Sequence, residues 1–391
     1  MRTKLHTVAA AGAAVVVLAS CSSGGDGGDS TASGGLTGEG SGESCTIEGE
    51  VPIGAVLSLT GAAASYGESQ QRGLELAAAE LAEQDGVTYD LTIEDDQTDP
   101  RQAITLFDQF VSDDSSLIIG PTLSNAAVQA DPIAQDAGVP VLGISNTAAG
   151  VTEIGDYIFR DSLTEQAVIP QTIAQATEQF GLEDVVVMYS NDDAFTESGY
   201  EAFTAALEDE GVNVSETITF SKSDTDFRAL LTQAQESDPD ALVVSGLIEA
   251  AVPLVTQARE LGIDVPIIGG NGFNNPQLMA DAGEAAEGVV VGAAWNSSSD
   301  NPENQAFLEA YEAEYGAQPD QFAAQAYTGL KLVDHAVRAN CSAERDDIQE
   351  ALGQIEDLPT VLGEFSIDEN RDANHPAVVQ VVQNGEFTVL E

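Results

Sequence analysis

Basic residues are scarce in this chain. Its 391 residues include 12 Lys and Arg against 66 Asp and Glu, a formal net charge of −54, and its lysines are confined to Lys4, Lys222 and Lys331. That balance excludes nucleic-acid binding, which needs a basic face to displace phosphate counterions. It equally excludes charge-driven adsorption on anionic lipid. Histidine is also rare: His6, His335 and His375 show no metal-ligand spacing, so neither a metal nor a cofactor is expected. No Gly-x-x-x-x-Gly-Lys loop occurs, and Gly269-Gly270-Asn271-Gly272 lacks the spacing of a dinucleotide fingerprint. Nothing in the sequence forms a catalytic constellation, so an enzyme is not expected. The apolar stretch Val8–Ala19 is too short to span a bilayer, which takes roughly 20 residues.

What is present begins with an address. Arg2 and Lys4 precede the apolar stretch, as in a secretory signal. It ends in Leu18-Ala19-Ser20-Cys21, which resembles the bacterial lipobox. That resemblance implies a lipoprotein signal peptide over 1–20 and a lipid on Cys21, anchoring the protein to the outer face of the cell membrane. Residues 21–44 are rich in Gly and Ser and read as a flexible tether, with globular structure from Cys45. Cys45 and Cys341 are the remaining cysteines. Outside the cell two such residues often pair, but sequence leaves a disulfide and two free thiols both open. The acid excess has two readings, a hydrated surface suited to high external salt or a compositional bias of the source.

From Val51 the chain alternates short apolar strands with helices, the pattern of a parallel sheet covered on both faces. Strands are predicted at Val51–Ser58, Tyr89–Glu94, Leu117–Ile119 and Val139–Gly143, with helices at Tyr66–Gln84, from Asp99-Pro100 to Val111, and at Ser124–Ala137, broken or restarted at Pro132. The rhythm resumes after Arg160, with helices at Glu165–Phe180, Thr196–Glu210, Thr225–Glu236 and Ala250–Leu261 and strands between them. Three helices from Pro302 to Gln354 and three strands from Gly363 to Leu390 close the chain. Two α/β units in series predict a cleft at the carboxyl ends of the strands. Asp368–Ala373 has part of a calcium loop but reads as a hairpin turn, and the lone Trp295 reads as a hinge or core residue.

Several segments, in order, resemble the Leu/Ile/Val-binding family of type I extracytoplasmic solute-binding proteins of ABC transporters. They are Val51-Pro52-Ile53-Gly54 with Leu59-Thr60-Gly61 and Tyr66-Gly67, Asp95-Asp96-Gln97-Thr98-Asp99-Pro100, Ile119-Gly120-Pro121 with Ser124, Pro140 to Ser145, and Gly269 to Pro276. The resemblance implies a type I periplasmic-binding fold of two Rossmann-like lobes joined by a hinge of three crossings. Lobe I would take 45–162 and 297–362, and lobe II 163–296 with C-terminal strands over 363–391. It implies a small solute, a branched-chain or other amino acid, captured by domain closure and delivered to the permease subunits of an ABC importer.

It also assigns ligand contacts residue by residue. Ser124 offers a hydroxyl and helix N-terminal amides to a carboxylate, the alternative being a plain N-cap serine. Ser145, Thr147 and Ala149 form a second ligand loop, in which Ala149 stands where the family often has Thr. Tyr66 and Phe195 match aromatic walls, and Leu247 stands where the family often has Tyr. Asn271 occupies a position where amino-acid binders often carry an acid for the ammonium. Glu249, Asp192 or Asp193 could replace it; otherwise the solute is an amide, a urea-like compound or an organic acid. A ligand-sensing partner of a membrane receptor, using the same fold without transport, is the second functional reading.

Overall fold

The computed structural model describes residues 36–390. The signal peptide, Cys21 and most of the tether lie outside the described residues. Residues 36–44, expected as the end of the tether, are not loose. Thr37 bridges to Ser342 and Glu39 to Thr46, and the Gly38 N–H donates to the Cys341 carbonyl at 2.8 Å. Cys45 and Cys341 are joined by a disulfide with Cα atoms 5.3 Å apart. The bond brings the final helical region onto the first strand, and the preceding segment pairs with what it finds there.

In the first lobe, strands β1 (Glu50–Leu57), β2 (Thr88–Asp95), β3 (Leu117–Ile119), β4 (Val141–Gly143) and β5 (Ile158–Arg160) alternate with helices α1 (Ala64–Ala82), α2 (Pro100–Ser112) and α3 (Ser124–Ala137). The sheet is parallel, in the order β2-β1-β3-β4-β5. Inner strands β3 and β4 are buried at every residue, whereas edge strand β2 alternates with solvent. This is why the inner strands read as continuous apolar runs. Local signals set the helix ends. Asp99 caps α2 by accepting the Arg101 N–H, with Pro100 in the first turn, and Gly138 ends α3 in the left-handed conformation at φ 62°. Helix α3 runs on through Pro132 rather than breaking there. Gly54 lets α2 lie directly on β1, since a Cβ there would stand 2.6 Å from the Phe110 ring.

The second lobe runs α4 (Glu165–Phe180), β6 (Asp184–Ser190), α5 (Ala194–Glu210), β7 (Asn213–Phe220), α6 (Arg228–Glu236), β8 (Ala241–Ser245), α7 (Ile248–Glu260), β9 (Ile267–Gly269), α8 (Gln277–Ala282) and β10 (Val290–Ala293). The chain then returns to the first lobe with α9 (Pro302–Tyr315), α10 (Gln321–Asn340) and α11 (Arg345–Leu352), followed by strands β11 (Leu358–Thr360), β12 (Gly363–Ile367) and β13 (Ala373–Asn374). Strands β14 (Val378–Gln383) and β15 (Glu386–Val389) complete the second sheet antiparallel to β10, in the order β15-β14-β10-β9-β8-β6-β7.

The chain therefore passes between lobes at 161–164, 294–301 and 375–377. The third passage comes later than the expected 363. Strands β11, β12 and β13 form a separate small antiparallel sheet with β12 in the middle, and Phe365, Ile367 and Ala373 join the core of the first lobe. A strand in sequence announces burial, not which of two cores receives it. Between β12 and β13 the Asp368 Oδ1 accepts the N–H groups of Asn370 and Asp372, forming the hairpin turn. Trp295 lies at the second passage, packed edge-on to Phe307 and donating to Asn304 Oδ1 at 2.8 Å. No helix of the described residues is long and apolar enough to cross a membrane. Double replacement C45A/C341A, or reduction, should cost about 2–4 kcal/mol of stability. A thermal melt with and without reductant checks this, and an unchanged midpoint would contradict it.

Candidate functional site

A cavity lies between the lobes, lined by residues of both. Tyr66, Ser124, Ser145, Thr147, Phe195, Leu247 and Asn271 all border it. Ala149 does not. Its N–H donates to Ser198 Oγ at 2.9 Å, so this backbone group is spent on α5. Sequence reasoning missed the wall contributed by α10, Gln321, Phe322 and Gln325, because only tertiary packing brings that late helix beside the first one.

The carboxyl ends of β3 and β4 build one end of the cavity. Leu123, not Ser124, occupies the N-cap of α3, so the plain capping role is excluded. Ser124 Oγ instead accepts the N–H groups of Thr147 at 3.2 Å and Ala148 at 3.3 Å. Ser145 is a scaffold member: its hydroxyl donates to the Thr122 carbonyl and accepts from Gln70 Nε2. The loop is held from behind by Arg160, which is 1% exposed. Its guanidinium donates to the carbonyls of Asn146 (2.9 Å) and Ala148 (2.7 Å) and pairs with Asp372 at 2.6 Å. With those carbonyls fixed, the Thr147 and Ala148 N–H groups turn to the Ser124 side. The Thr147 hydroxyl lies buried near Glu165 without a hydrogen bond of good geometry.

Tyr66 joins the lobes. From α1 its hydroxyl donates to the Gly272 carbonyl at 2.7 Å and accepts the Ile248 N–H at 2.7 Å, while its ring meets Phe322 edge-on. Burial pushes the phenol well above its ordinary value, so it remains a donor. Gly272 itself sits against the Gly246 carbonyl, 2.5 Å from where a Cβ would stand, so this position is closed to any side chain.

Asn271 is buried and already engaged. Its Nδ2 donates to Glu165 Oε1 at 2.8 Å, and its Oδ1 accepts from Gln321 Nε2 at 3.2 Å. Gln321 Oε1 in turn accepts the Ala294 N–H at 2.6 Å and Asn274 Nδ2 at 3.2 Å. Asn274 also donates to Gln380 at 3.0 Å. This buried network meets the chain beside all three passages. Glu165, wholly buried, is pushed up to about 7 by desolvation. Of the acids considered as substitutes for a carboxylate at Asn271, Asp192 accepts from Ser221 and Lys222 on the outside of the second lobe. Glu249 is pushed up to about 7 by burial and borders an adjoining cavity. Asp193 borders the central one. Among the described residues no group of His, Cys, Asp and Glu is placed to hold a metal.

Known proteins resemble this chain in sequence and fold. The model of a family described as periplasmic binding protein matches residues 50–386. The leucine-, isoleucine-, valine-, threonine- and alanine-binding protein of Pseudomonas aeruginosa is 25% identical over 337 residues, 85% of this chain and 87% of that one. The branched-chain amino acid transporter substrate-binding protein LivJ of Streptococcus pneumoniae, solved in complex with isoleucine, is 29% identical with a TM-score of 0.81, covering 87% of this chain and 98% of that one. The leucine-binding protein LivK of Thermotoga maritima is 26% identical with a TM-score of 0.83, covering 87% and 97%.

Glu165 also yields a pH prediction. The unfolded chain ionises this carboxyl near 4.5, the folded one near 7. The stability it contributes is present in full below about 4.5 and is lost as pH rises through 7. Glu165→Gln keeps an acceptor for Asn271 but does not ionise. Melts from pH 5 to 8 should show wild type losing up to about 3 kcal/mol relative to the variant, whereas parallel curves would contradict the assignment. The fold, the cleft between its lobes and the family match together place the chain in the periplasmic binding protein family, among the Leu/Ile/Val-type solute-binding proteins of ABC transporters.

Proposed function

We propose that this protein captures a small apolar α-amino acid, of the branched-chain kind first, and delivers it to the permease of an ABC importer. The observation carrying the reading is the Ser124 hydroxyl at the start of α3, whose oxygen accepts the N–H groups of Thr147 and Ala148 and whose O–H is left to donate into the cavity. That O–H and the first N–H groups of α3, which have no acceptor within the helix, suit a carboxylate. Opposite them stand Tyr66, Phe195, Leu247 and Phe322, which suit an apolar body of modest size. These groups come from both lobes, so a solute touching all of them favours the closed form over the open one. The relatives that bind leucine and isoleucine support the same class of solute.

A second reading has its own support. Asn271 is uncharged and engaged on both sides by Glu165 and Gln321, which suits an organic acid or amide without an ammonium. Delivery to the permease from the outer face of the membrane follows from the lipobox-like Leu18-Ala19-Ser20-Cys21. The protein would then be held by lipid on Cys21 while its lobes work in solution.

Calorimetry with leucine, isoleucine, valine and simple carboxylates tests the first reading. Leucine-class binding should weaken roughly tenfold or more in Ser124→Ala and in Tyr66→Phe, each of which leaves buried groups unpaired. Equal affinity in both variants would refute the assigned site, and binding of carboxylates alone would favour the second reading. Cys21→Ala should move the protein from the membrane fraction to the soluble one, and unchanged partition would remove the lipid anchor.

A further inference from the structure

We propose that Asp193 is the amine anchor of this pocket, replacing an acid at Asn271. The inference rests on the amino-acid reading above and names the residue that would set its specificity. A zwitterion held by its carboxylate still presents an ammonium, and burying that charge is costly unless an opposite charge and acceptors meet it. Asn271 brings no charge, and its amide is engaged with Glu165 and Gln321. Glu165 stands behind Asn271 and does not border the cavity. Asp193 is the carboxylate that does.

Its two oxygens are used differently. Oδ1 caps α5, accepting the N–H groups of Phe195 (3.1 Å) and Thr196 (3.3 Å). Oδ2 is buried with no hydrogen-bond partner, although the residue is only 3% exposed. Lys222 Nζ, on a side chain 38% exposed, makes a long ion pair with it at 3.6 Å. Burial pushes the Asp193 carboxyl up, and Lys222 and the helix N–H groups pull it back.

The setting fits an ammonium. Asp193 borders both the central cavity and a neighbouring one, whose wall also holds Glu249 with its own unpartnered Oε2. The first turns of α5 are tied to the carboxylate-binding loop by the Ala149 N–H on Ser198 Oγ. This tie holds Asp193 beside the end where Ser124, Thr147 and Ala148 gather. Carboxylate and amine would thus be read by adjoining segments, the first lobe taking one and the second lobe the other. Solutes with both groups would draw the lobes together more strongly than solutes with one.

The test compares leucine with 4-methylpentanoate, the same skeleton without the amine, by calorimetry on the mature protein. Wild type should bind leucine far more tightly. Asp193→Asn retains a good helix cap and removes the charge. It should weaken leucine roughly 10- to 100-fold without weakening 4-methylpentanoate, so that the preference collapses. Asp193→Ser, also a good cap, should behave alike and serves if the first variant does not fold. A full leucine preference in either folded variant overturns the anchor and leaves the amino-acid reading standing. Wild type that binds 4-methylpentanoate as well as leucine, or binds no amino acid, overturns both.

Discussion

Closing two lobes over a solute takes many polar groups out of water at once, and each must then find a partner or cost free energy. The Tyr66 hydroxyl shows how this protein meets that demand. It links an N–H and a carbonyl of the second lobe, both belonging to chain ends that have no partner in their own elements. Helix α7 starts at Ile248, so its first N–H groups lack intrahelical acceptors. A side chain from the other lobe completes that turn. The Phe322 ring packs edge-on against Tyr66 beside these bonds.

The ligand loop obeys the same rule with its two sides separated. Its carbonyls face Arg160, and its N–H groups face Ser124. Arg160 in turn leans on Asp372, just before the third passage between lobes. The amide network from Glu165 through Asn271 and Gln321 reaches the other passages. Both the donor loop and the back wall of the cavity are thus bonded to the segments that bend. A buried polar network has to be fully paired to be stable, so a change in lobe angle and a change at the pocket are bound to affect one another.

Much of the fold was legible in the chain. Strand β3 and helices α3 and α4 fall at the predicted residues, because caps, prolines and apolar runs act over a few residues. Strands β5, β11 and β13 were not predicted, since Ile-Phe-Arg, Leu-Pro-Thr and Ala-Asn lack the unbroken apolar run that marks β3. Tyr66, Phe195 and Asn271 reached the cavity through the ordered segments that resemble the family. Ala149 did not, because its N–H found Ser198 on a different lobe.

The sequence by itself determined the α/β alternation, the family and the acidic character, all of which reside in composition, local periodicity and ordered motifs. Tertiary structure decided that residues 36–44 pack beside Cys341, that β12 and β13 serve the first lobe, and that Gln321 and Phe322 wall the cavity. It also decided that Glu165 stands behind Asn271 while Asp193 faces the space. In each case the partners lie far apart along the chain. Which of many acids ends up buried beside a ligand depends on packing between elements, and no local pattern encodes it.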